Sequence, residues 1–271
     1  MAHDPAGPAP GPGYRPSGPG ERQALITDLV IGRGSVGAQE LAEAFGVSLM
    51  TVHRDLDELQ RQGVLRKSRG VATAQPTGVF ESNVAYRSKT NVEAKQQIGA
   101  RACRYLEPGM SVLLDDSTTV AQMLPHLGVL APLTVATNFL HGLVELTRVP
   151  GIDVVALSGH YDAQHDSFLG AACVESLHAM RFDAAFVSTS AAREGCAFHQ
   201  EDHIVAVKRE MLAVATRSYL LIDHTKLART ALHRLAPLSG FAAVVIDAGV
   251  GEEQVAELVR LGVQVDVADA G

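Results

Sequence analysis

The sequence predicts an α/β protein in two parts, a small helical head closed by a basic hairpin and a larger body built on a mostly parallel sheet. Three observations carry this. Between Gly46 and Gly70, GVSLMTVHRDLDELQRQGVLRKSRG sets a turn, a capped amphipathic helix and a basic strand-like segment in immediate succession. Beyond Pro108, short apolar runs that end in small polar residues alternate with helix-like stretches. Charge divides between the parts: residues 1–75 hold 8 Lys and Arg against 8 Asp and Glu and the rest holds 15 against 22, so the net charge of -7 belongs to the body.

Met1 to Gly20 contains six of the twelve prolines and five glycines, and residues 1–20 are expected to be a disordered tail. From Glu21, the residues Leu25, Ile26, Leu29 and Val30 recur at helical spacing, a first helix that stops at Gly32 to Gly34. AQELAEAF (38–45) is a second helix with Leu41, Ala42 and Phe45 inward, and Gly46 supplies the tight turn after it. Ser48 then starts the third helix, because its hydroxyl can accept a hydrogen bond from a free N–H of the first turn. Val52, Leu56 and Leu59 form one apolar stripe, while Thr51, His53, Arg54 and Asp57 fall off it toward solvent. Arg66, Lys67 and Arg69, followed by Gly70, suit a hairpin whose tip meets phosphates. The head, residues 21–75, therefore reads as a winged helix-turn-helix. A plain helical hairpin with a solvated basic face is the simpler reading, and the agreement of turn glycine, capped helix and basic segment outweighs it.

Residues 76–92, irregular around Pro76 and Gly78, are expected to link the head to a body over 93–271 that opens with a helix from about Asn91 to Leu106. Seven strands follow, SVLLD (111–115), LTVAT (133–137), DVVAL (153–157), DAAFV (183–187), YLLID (219–223), AAVVID (242–247) and VQVDVA (263–268). Near-continuous apolar runs suit strands covered on both faces, as in a Rossmann-like parallel sheet, where ligands bind outside the carboxyl ends. Those ends read Asp115-Asp116-Ser117-Thr118-Thr119, Thr137-Asn138, Ser158-Gly159-His160, Ser188-Thr189-Ser190, Asp223-His224-Thr225-Lys226 and Asp247. The first, followed by the helix-like VAQMLPHL, offers hydroxyls and backbone N–H groups at a helix start, where a phosphate is favoured. The acidic pair would repel a phosphate set directly on it, so Asp115 or Asp116 is assigned to sugar hydroxyls or to the loop's own backbone, and Lys226 to the phosphate. A simple N-cap cluster explains D-D-S-T-T alone equally well; the agreement of several strand ends favours a ligand.

Composition excludes other classes. No run of eighteen apolar residues and no signal-peptide pattern occurs, so a cytoplasmic location without membrane insertion is expected. Cys103, Cys173 and Cys196, widely spaced and odd in number, read as buried thiols rather than a disulfide framework or zinc site. His199, Glu201, Asp202 and His203 look metal-like but lack the spacing of a helix-borne site and read as a cap on the next helix. His160 and His165 flank an acidic loop and carry no assignment. No cofactor, metal or catalytic residue is expected, and no Walker A, G-x-S-x-G or G-x-G-x-x-G motif is present.

TVHRDLDELQRQGVLRKSRG also resembles the winged-helix signature of the DeoR family of bacterial repressors, roughly T-[IV]-R-R-D-L, L-x-x-x-G and a basic wing. Thr51, Val52, Arg54, Asp55, Leu56, Leu59 and Gly63 match; His53 replaces an arginine, and Ser68 to Val71 replace the usual His-Gly-Gly-Ala. Farther on, Tyr86-Arg87 with Asn91, Glu93, Lys95 and Ile98 is similar to the family's R-x-x-x-N-x-x-E-K-x-x-I, with Ala94 as one extra residue. DDSTT, TN, L-x-G, the Gly195 segment with Glu201, Lys208 and Met211, and DHTK resemble the family's effector-domain motifs in the same order. Ser158-Gly159-His160 lacks a double glycine, and Ser188 to Ala191 replaces a G-x-x-G run. The resemblance implies a ribose-phosphate isomerase-like effector domain that senses phosphorylated sugars.

The expected function is a DNA-binding transcriptional regulator, a repressor of carbohydrate metabolism genes under control of a phosphorylated sugar or related metabolite. Ser48, Thr51, His53, Arg54, Arg66, Lys67 and Arg69 are its expected DNA contacts. Asp115, Asp116, Ser117, Thr118, Thr119, Asn138, Gly159, Ser190, Lys208 and Lys226 are its expected effector contacts. The head is only locally basic, so a homo-dimer or tetramer on repeated operator half-sites is expected. The competing reading is a sugar-phosphate isomerase-like enzyme carrying a DNA-binding head, with Asp115, Asp116, Glu201 or Asp223 as base.

Overall fold

The structure, a computed structural model, describes residues 16, 18–61, 63–74, 81–227 and 229–269. Contacts divide them into two compact units that part between Thr90 and Asn91.

The first unit opens with α1 (Pro19–Arg33). The tail expected over 1–20 lies mostly outside the described residues, but Pro19 and Gly20 belong to this helix. Proline fits a first helical turn, because the N–H it lacks has no partner there. The helix continues through Gly32, and Gly34, at φ +76°, ends it. After β1 (Ser35–Gly37) come α2 (Ala38–Phe45) and α3 (Leu49–Arg61), joined through Gly46 in the left-handed region. The Thr51 amide donates to Ser48 Oγ at 3.1 Å, the N-cap read from the sequence. β2 (Arg66–Ser68) and β3 (Val71–Thr73) form the wing, turning on Arg69 and Gly70, both at positive φ, as a two-residue hairpin with right-handed twist requires. β1 pairs with β3 and closes a three-stranded antiparallel sheet.

Ile26, Leu41, Phe45, Val52, Leu56 and Leu65 fill this unit's core. A charged pair is buried beside them. Asp55 is buried, accepting from Arg22 Nε at 2.5 Å and from Gln23 Nε2 at 3.1 Å, so α3 is pinned to α1 by a buried ion pair. The expected linker, 76–92, is outside the described residues up to residue 80. Beyond that it is not a plain linker: α4 (Val84–Lys89) is capped by Asn83, whose Oδ1 accepts from the Tyr86 amide, and Tyr86 packs on the core. So short a helix shows no apolar repeat, which is why the sequence pattern missed it.

The second unit runs α5 (Val92–Ala102), β4 (Ser111–Leu114), β5 (Leu133–Thr137), α6 (Leu140–Leu146), β6 (Ile152–Ala156), β7 (His160–Asp162), β8 (Ser167–Leu169), α7 (Ala171–His178), β9 (Phe182–Val187), β10 (Ala191–Arg193), β11 (Cys196–His199), α8 (Asp202–Ala213), β12 (Ala215–Ile222), β13 (His233–Pro237), β14 (Ala243–Ile246), α9 (Glu252–Arg260) and β15 (Val265–Val267). All seven apolar runs are strands of one sheet, ordered β15-β14-β12-β9-β4-β5-β6 and parallel at every pairing. Their side chains alternate between two cores: Leu113, Ala185, Leu220 and Val244 enter one, Val112, Ala184, Tyr219 and Val245 the other. A strand buried on both faces has no polar position, which is what the unbroken apolar runs expressed.

Two antiparallel additions lack that signal, the hairpin β7–β8 and the sheet β10-β11-β13. The stretch after D-D-S-T-T also differs from the expected α-helix. Val120–Leu130 is a 3-10 run with Pro125 inside it, and proline cannot donate to the α-helical ladder. Cys103 and Cys173 are buried, and burial pushes both thiols up to about 12. Cys196 is only half-buried, so the expectation of a buried thiol fails there: it opens β11, on a face only partly covered. No helix among the described residues is long and apolar enough to cross a membrane.

Candidate functional site

In the head, Ser48, Thr51, Arg54, Arg66, Lys67 and Arg69 lie on α3 and the wing, but not all are equally open. Ser48 and Thr51 hydroxyls stand 2.9 Å apart and share a hydrogen bond. His53 is half-buried, and its Nδ1 is enclosed without a hydrogen-bond partner among the described residues. Arg54 is exposed and has no partner among the described residues. Lys67 Nζ sits 2.7 Å from Asp57, a pair at the surface that holds the lysine weakly and can yield to a phosphate. Arg66 is half-buried, and Arg69 forms the wing tip at φ +50°.

In the body, strand order reverses between β4 and β9, the first and fourth strands of the sheet, which are neighbours. An open parallel sheet has its crevice at such a point, beyond the carboxyl ends. Asp115 closes the gap there. Its amide donates to Phe186 O, its Oδ1 accepts from the Ser117 amide at 2.9 Å, and its Oδ2 accepts from the Ser188 amide at 2.7 Å. The ammonium of Lys208, from α8, bonds the same Oδ2 and lies 3.1 Å from Asp116 Oδ1. Asp116 Oδ2 accepts from Ser167 Oγ at 2.9 Å, which anchors the hairpin. Burial alone would push the Lys208 ammonium toward neutrality; the two carboxylates outweigh it and hold the pKa above the ordinary lysine value. Lys208 thus serves as counter-ion to the acidic pair.

Ser117 is committed too. Its hydroxyl accepts from the Val120 amide at 3.1 Å and caps the 3-10 run. Thr118 Oγ1 accepts from Lys95 Nζ at 3.1 Å, and Lys95 is buried. Lys226 Nζ donates to Thr189 O at 2.8 Å and lies 3.9 Å from Asp223, tying the β12 end to the β9 end. Burial pushes the Asp223 carboxyl up, but Lys226, Thr225, Arg229 and Lys95 outweigh it and hold it below the usual range. Asn91 Nδ2 donates to Asp223 Oδ1 at 3.0 Å and to Thr225 Oγ1 at 3.2 Å. The site therefore gathers Lys95, Lys208, Lys226 and Arg229 around Asp115, Asp116 and Asp223, with Asp247 at the neighbouring strand end, so that cations match carboxylates there within an acidic unit.

Asn138 and Gly159 lie on the ends of β5 and β6 and meet the hairpin. Asn138 Nδ2 donates to Phe168 O at 3.2 Å, and a Cβ on Gly159 would stand 2.7 Å from the Leu169 backbone. Asn138 Oδ1 and Thr119 Oγ1 are buried without hydrogen-bond partners among the described residues. Ser190, at the β9 end, is also buried. Strand-end reading missed Lys95, Asn91 and Ser167, since the first two come from a helix far upstream and the third from the unpredicted hairpin.

Among the described residues, no three His, Cys, Asp or Glu side chains are placed to hold a metal. His199 Nδ1 accepts from the Glu201 amide at 3.2 Å, which folds the approach to α8, and His165 Nε2 stands 2.6 Å from Glu201 Oε2.

Residues 22–77 match the model of the DeoR-like helix-turn-helix domain, and residues 90–248 that of the DeoR C terminal sensor domain. The HTH-type transcriptional regulator YgbI of Escherichia coli (strain K12) is 31% identical over 246 residues, 89% of this chain and 95% of that protein. The HTH-type transcriptional repressor GlcR of Bacillus subtilis is 29% identical, across 84% of this chain and 88% of its own. The L-fucose operon activator of Haemophilus influenzae is 28% identical, across 83% and 91%. Ribose 5-phosphate isomerase A from Methanocaldococcus jannaschii overlaps 52% of this chain and 56% of its own at a TM-score of 0.39 and 16% identity, too loosely to bear on function. Head and body are thus matched separately and in order, and the chain belongs to the DeoR family of helix-turn-helix transcriptional regulators, with a sensor domain behind the DNA-binding head.

Proposed function

We propose that the protein is a cytoplasmic, non-enzymatic repressor of carbohydrate metabolism genes. Paired heads, in a homo-dimer or tetramer, bind double-stranded operator DNA, and a phosphorylated sugar at the β4–β9 crevice controls them. The observation that carries the ligand reading is the convergence of Lys95, Lys208, Lys226 and Arg229 on one set of strand ends in a unit that is otherwise acidic. A dianionic phosphate with hydroxyl groups matches that mixture of cations, threonines and a buried amide. Relatives named as GlcR, the L-fucose operon activator and the lactose phosphotransferase system repressor of Staphylococcus aureus support the carbohydrate class. Against an isomerase stands the commitment of Asp115 and Asp116 to Lys208, which leaves neither as a ready base.

A thermal-shift screen of the full chain against sugar phosphates and the same sugars without phosphate tests this. A ligand at a hundred times its dissociation constant adds roughly 2.7 kcal/mol. Stabilisation by phosphorylated members alone is expected; no shift from any, or turnover of a bound sugar phosphate, refutes the reading. A reporter under a bound promoter decides the sign, lower output with the protein present being expected.

A further inference from the structure

The solvent face of α3 begins with hydrocarbon. Leu49 and Met50 are 41% and 64% exposed, in the first turn, directly after the Ser48 cap. Met50, Arg54, Asp57 and Arg61 recur at i, i+4, i+7 and i+11, one stripe of the helix surface. Down that stripe Asp57 is paired with Lys67 and Arg61 with Glu58. The inner face is taken by Val52, Asp55, Leu56 and Leu59, and Thr51 shares its hydroxyl with Ser48. Among the described residues, what remains uncommitted at the leading end is Arg54, the half-buried His53 and the two apolar side chains.

Nothing in the fold requires apolar groups there, since any good helix former would serve at an exposed first turn. Met50 forgoes most, and Leu49 part, of the stabilisation that burying such a side chain yields. The surroundings select the occupant. Arg54, without a partner among the described residues, shares the stripe, and Arg66, Lys67 and Arg69 stand in the wing of the same unit, a set of cations that suits nucleic acid rather than a second apolar protein face. Recognition helices enter the major groove by their N-terminal residues, and of the four bases thymine alone presents a methyl group there.

We propose that Met50, with Leu49 beside it, reads thymine methyl groups in the operator half-site, and that these two residues set base preference alongside Arg54. The proposal rests on the DNA-binding reading of the head. Four residues of helix span about 6 Å. With base pairs stacked about 3.4 Å apart, the thymine read by Met50 lies about two base pairs from the base read by Arg54. Arg54, with its fork of donors, suits a guanine.

The test uses full-length protein and a duplex enriched by it from a random library. Each thymine is replaced singly by deoxyuridine, which removes only the methyl, and affinities are measured by fluorescence anisotropy at fixed salt. In the wild type, one or two such replacements per half-site should weaken binding about three- to tenfold. Met50→Ala should lose its response at one of those positions while responding normally elsewhere, and Met50→Gln should enrich adenine there, because a carboxamide pairs with the adenine edge. Circular dichroism checks that each variant keeps its helix. Identical uracil profiles for wild type, Met50→Ala and Leu49→Ala overturn the proposal. So does a change of oligomeric state in Met50→Ala with the uracil profile intact, which would assign the patch to protein contact. A wild type that enriches no sequence overturns the DNA-binding reading itself.

Discussion

Lys208→Met isolates the charge at the centre of the sensor site, because methionine keeps the hydrocarbon stem and removes only the ammonium. In the native unit three residues no more than 4% exposed, Lys208, Asp115 and Asp116, form one buried cluster. Asp115 also holds the Ser117 and Ser188 amides, and Asp116 the Ser167 hydroxyl. Those donors cannot replace a cation, so the variant faces two adjacent buried carboxylates. Breaking a buried pair costs about 3–5 kcal/mol. At about 2–4 °C per kcal/mol for a unit of this size, the midpoint should fall by about 6–20 °C. The dependence on pH separates this cause from lost packing. In the variant one carboxyl keeps a proton to higher pH when folded than when unfolded, so its stability rises as pH falls from 8 toward 5. In the wild type, Lys208 has its pKa raised and is charged throughout that range, its contribution complete below the ordinary lysine value and lost only in alkali. Calorimetry at pH 8 and pH 5 should therefore show a gap that narrows at pH 5, and adding Asp115→Asn should recover part of the loss. An equal gap at both values, with no recovery from the second change, refutes the counter-ion assignment.

Arg54→Ala should abolish operator binding at physiological salt with an unchanged circular dichroism spectrum, and retained affinity would remove Arg54 from the reading face. Asp55→Ala leaves Arg22 buried without its carboxylate, so about 3–5 kcal/mol should be lost from the head, read as early melting of the first unit rather than as a folded protein that fails to bind. Gly99→Ala would set a Cβ 2.6 Å from the Gln122 backbone, where α5 meets the 3-10 run, and should cost about 1–3 kcal/mol in chemical denaturation. Asp223, held below the usual carboxylate range, contributes its stability in full above the unfolded value of about 3.9 and loses it as pH falls from there through the lower folded value. The stability difference between wild type and Asp223→Asn should accordingly be constant above about pH 5 and close in stronger acid.

The fold was legible where burial leaves a periodic mark. The inner strands, buried on both faces where they pair, stood out as apolar runs, and the edge strands β6 and β15, only partly buried, still carried enough of such a run to be read, while β10 and β13, with exposed positions and three to five residues each, did not. The helix-turn-helix was legible for a different reason: Gly46, Ser48 and the stripe of α3 are local, and local chemistry alone decides a turn and a cap. Buried charge was opaque throughout. Asp55 looks like any polar position of an amphipathic helix, and only the fold brings Arg22 to it. Likewise, strand-end reading singled out Asp115, Asp116, Thr118 and Lys226 and left Lys208 to family resemblance, because only the fold brings its ammonium, from α8, against the acidic pair.

The residues that strand-end reading missed say the most about how such a site is built. Asn91 is the first described residue of the second unit, and its backbone sits in the left-handed region at φ +52°, which asparagine enters more readily than most residues with a side chain. At a helix start an asparagine ordinarily turns its side chain to the free amides of the first turn. This one does not: its amide group donates instead to Asp223 and Thr225 at the end of β12, 132 and 134 positions away in the chain. Four residues later, Lys95 on the same helix reaches Thr118 at the end of β4. One turn of α5 thereby holds two of the strand-end loops, those after β12 and β4. Hydrogen bonds to a charged carboxylate are worth about 1.5–3 kcal/mol, comparable to the 1–3 kcal/mol by which effectors commonly bias a regulator. A ligand that redirects Asp223 or Thr118 must therefore change what holds the first turn of α5 by an amount on that scale. These strand ends and the first turn of α5 cannot be altered independently, because they share side chains.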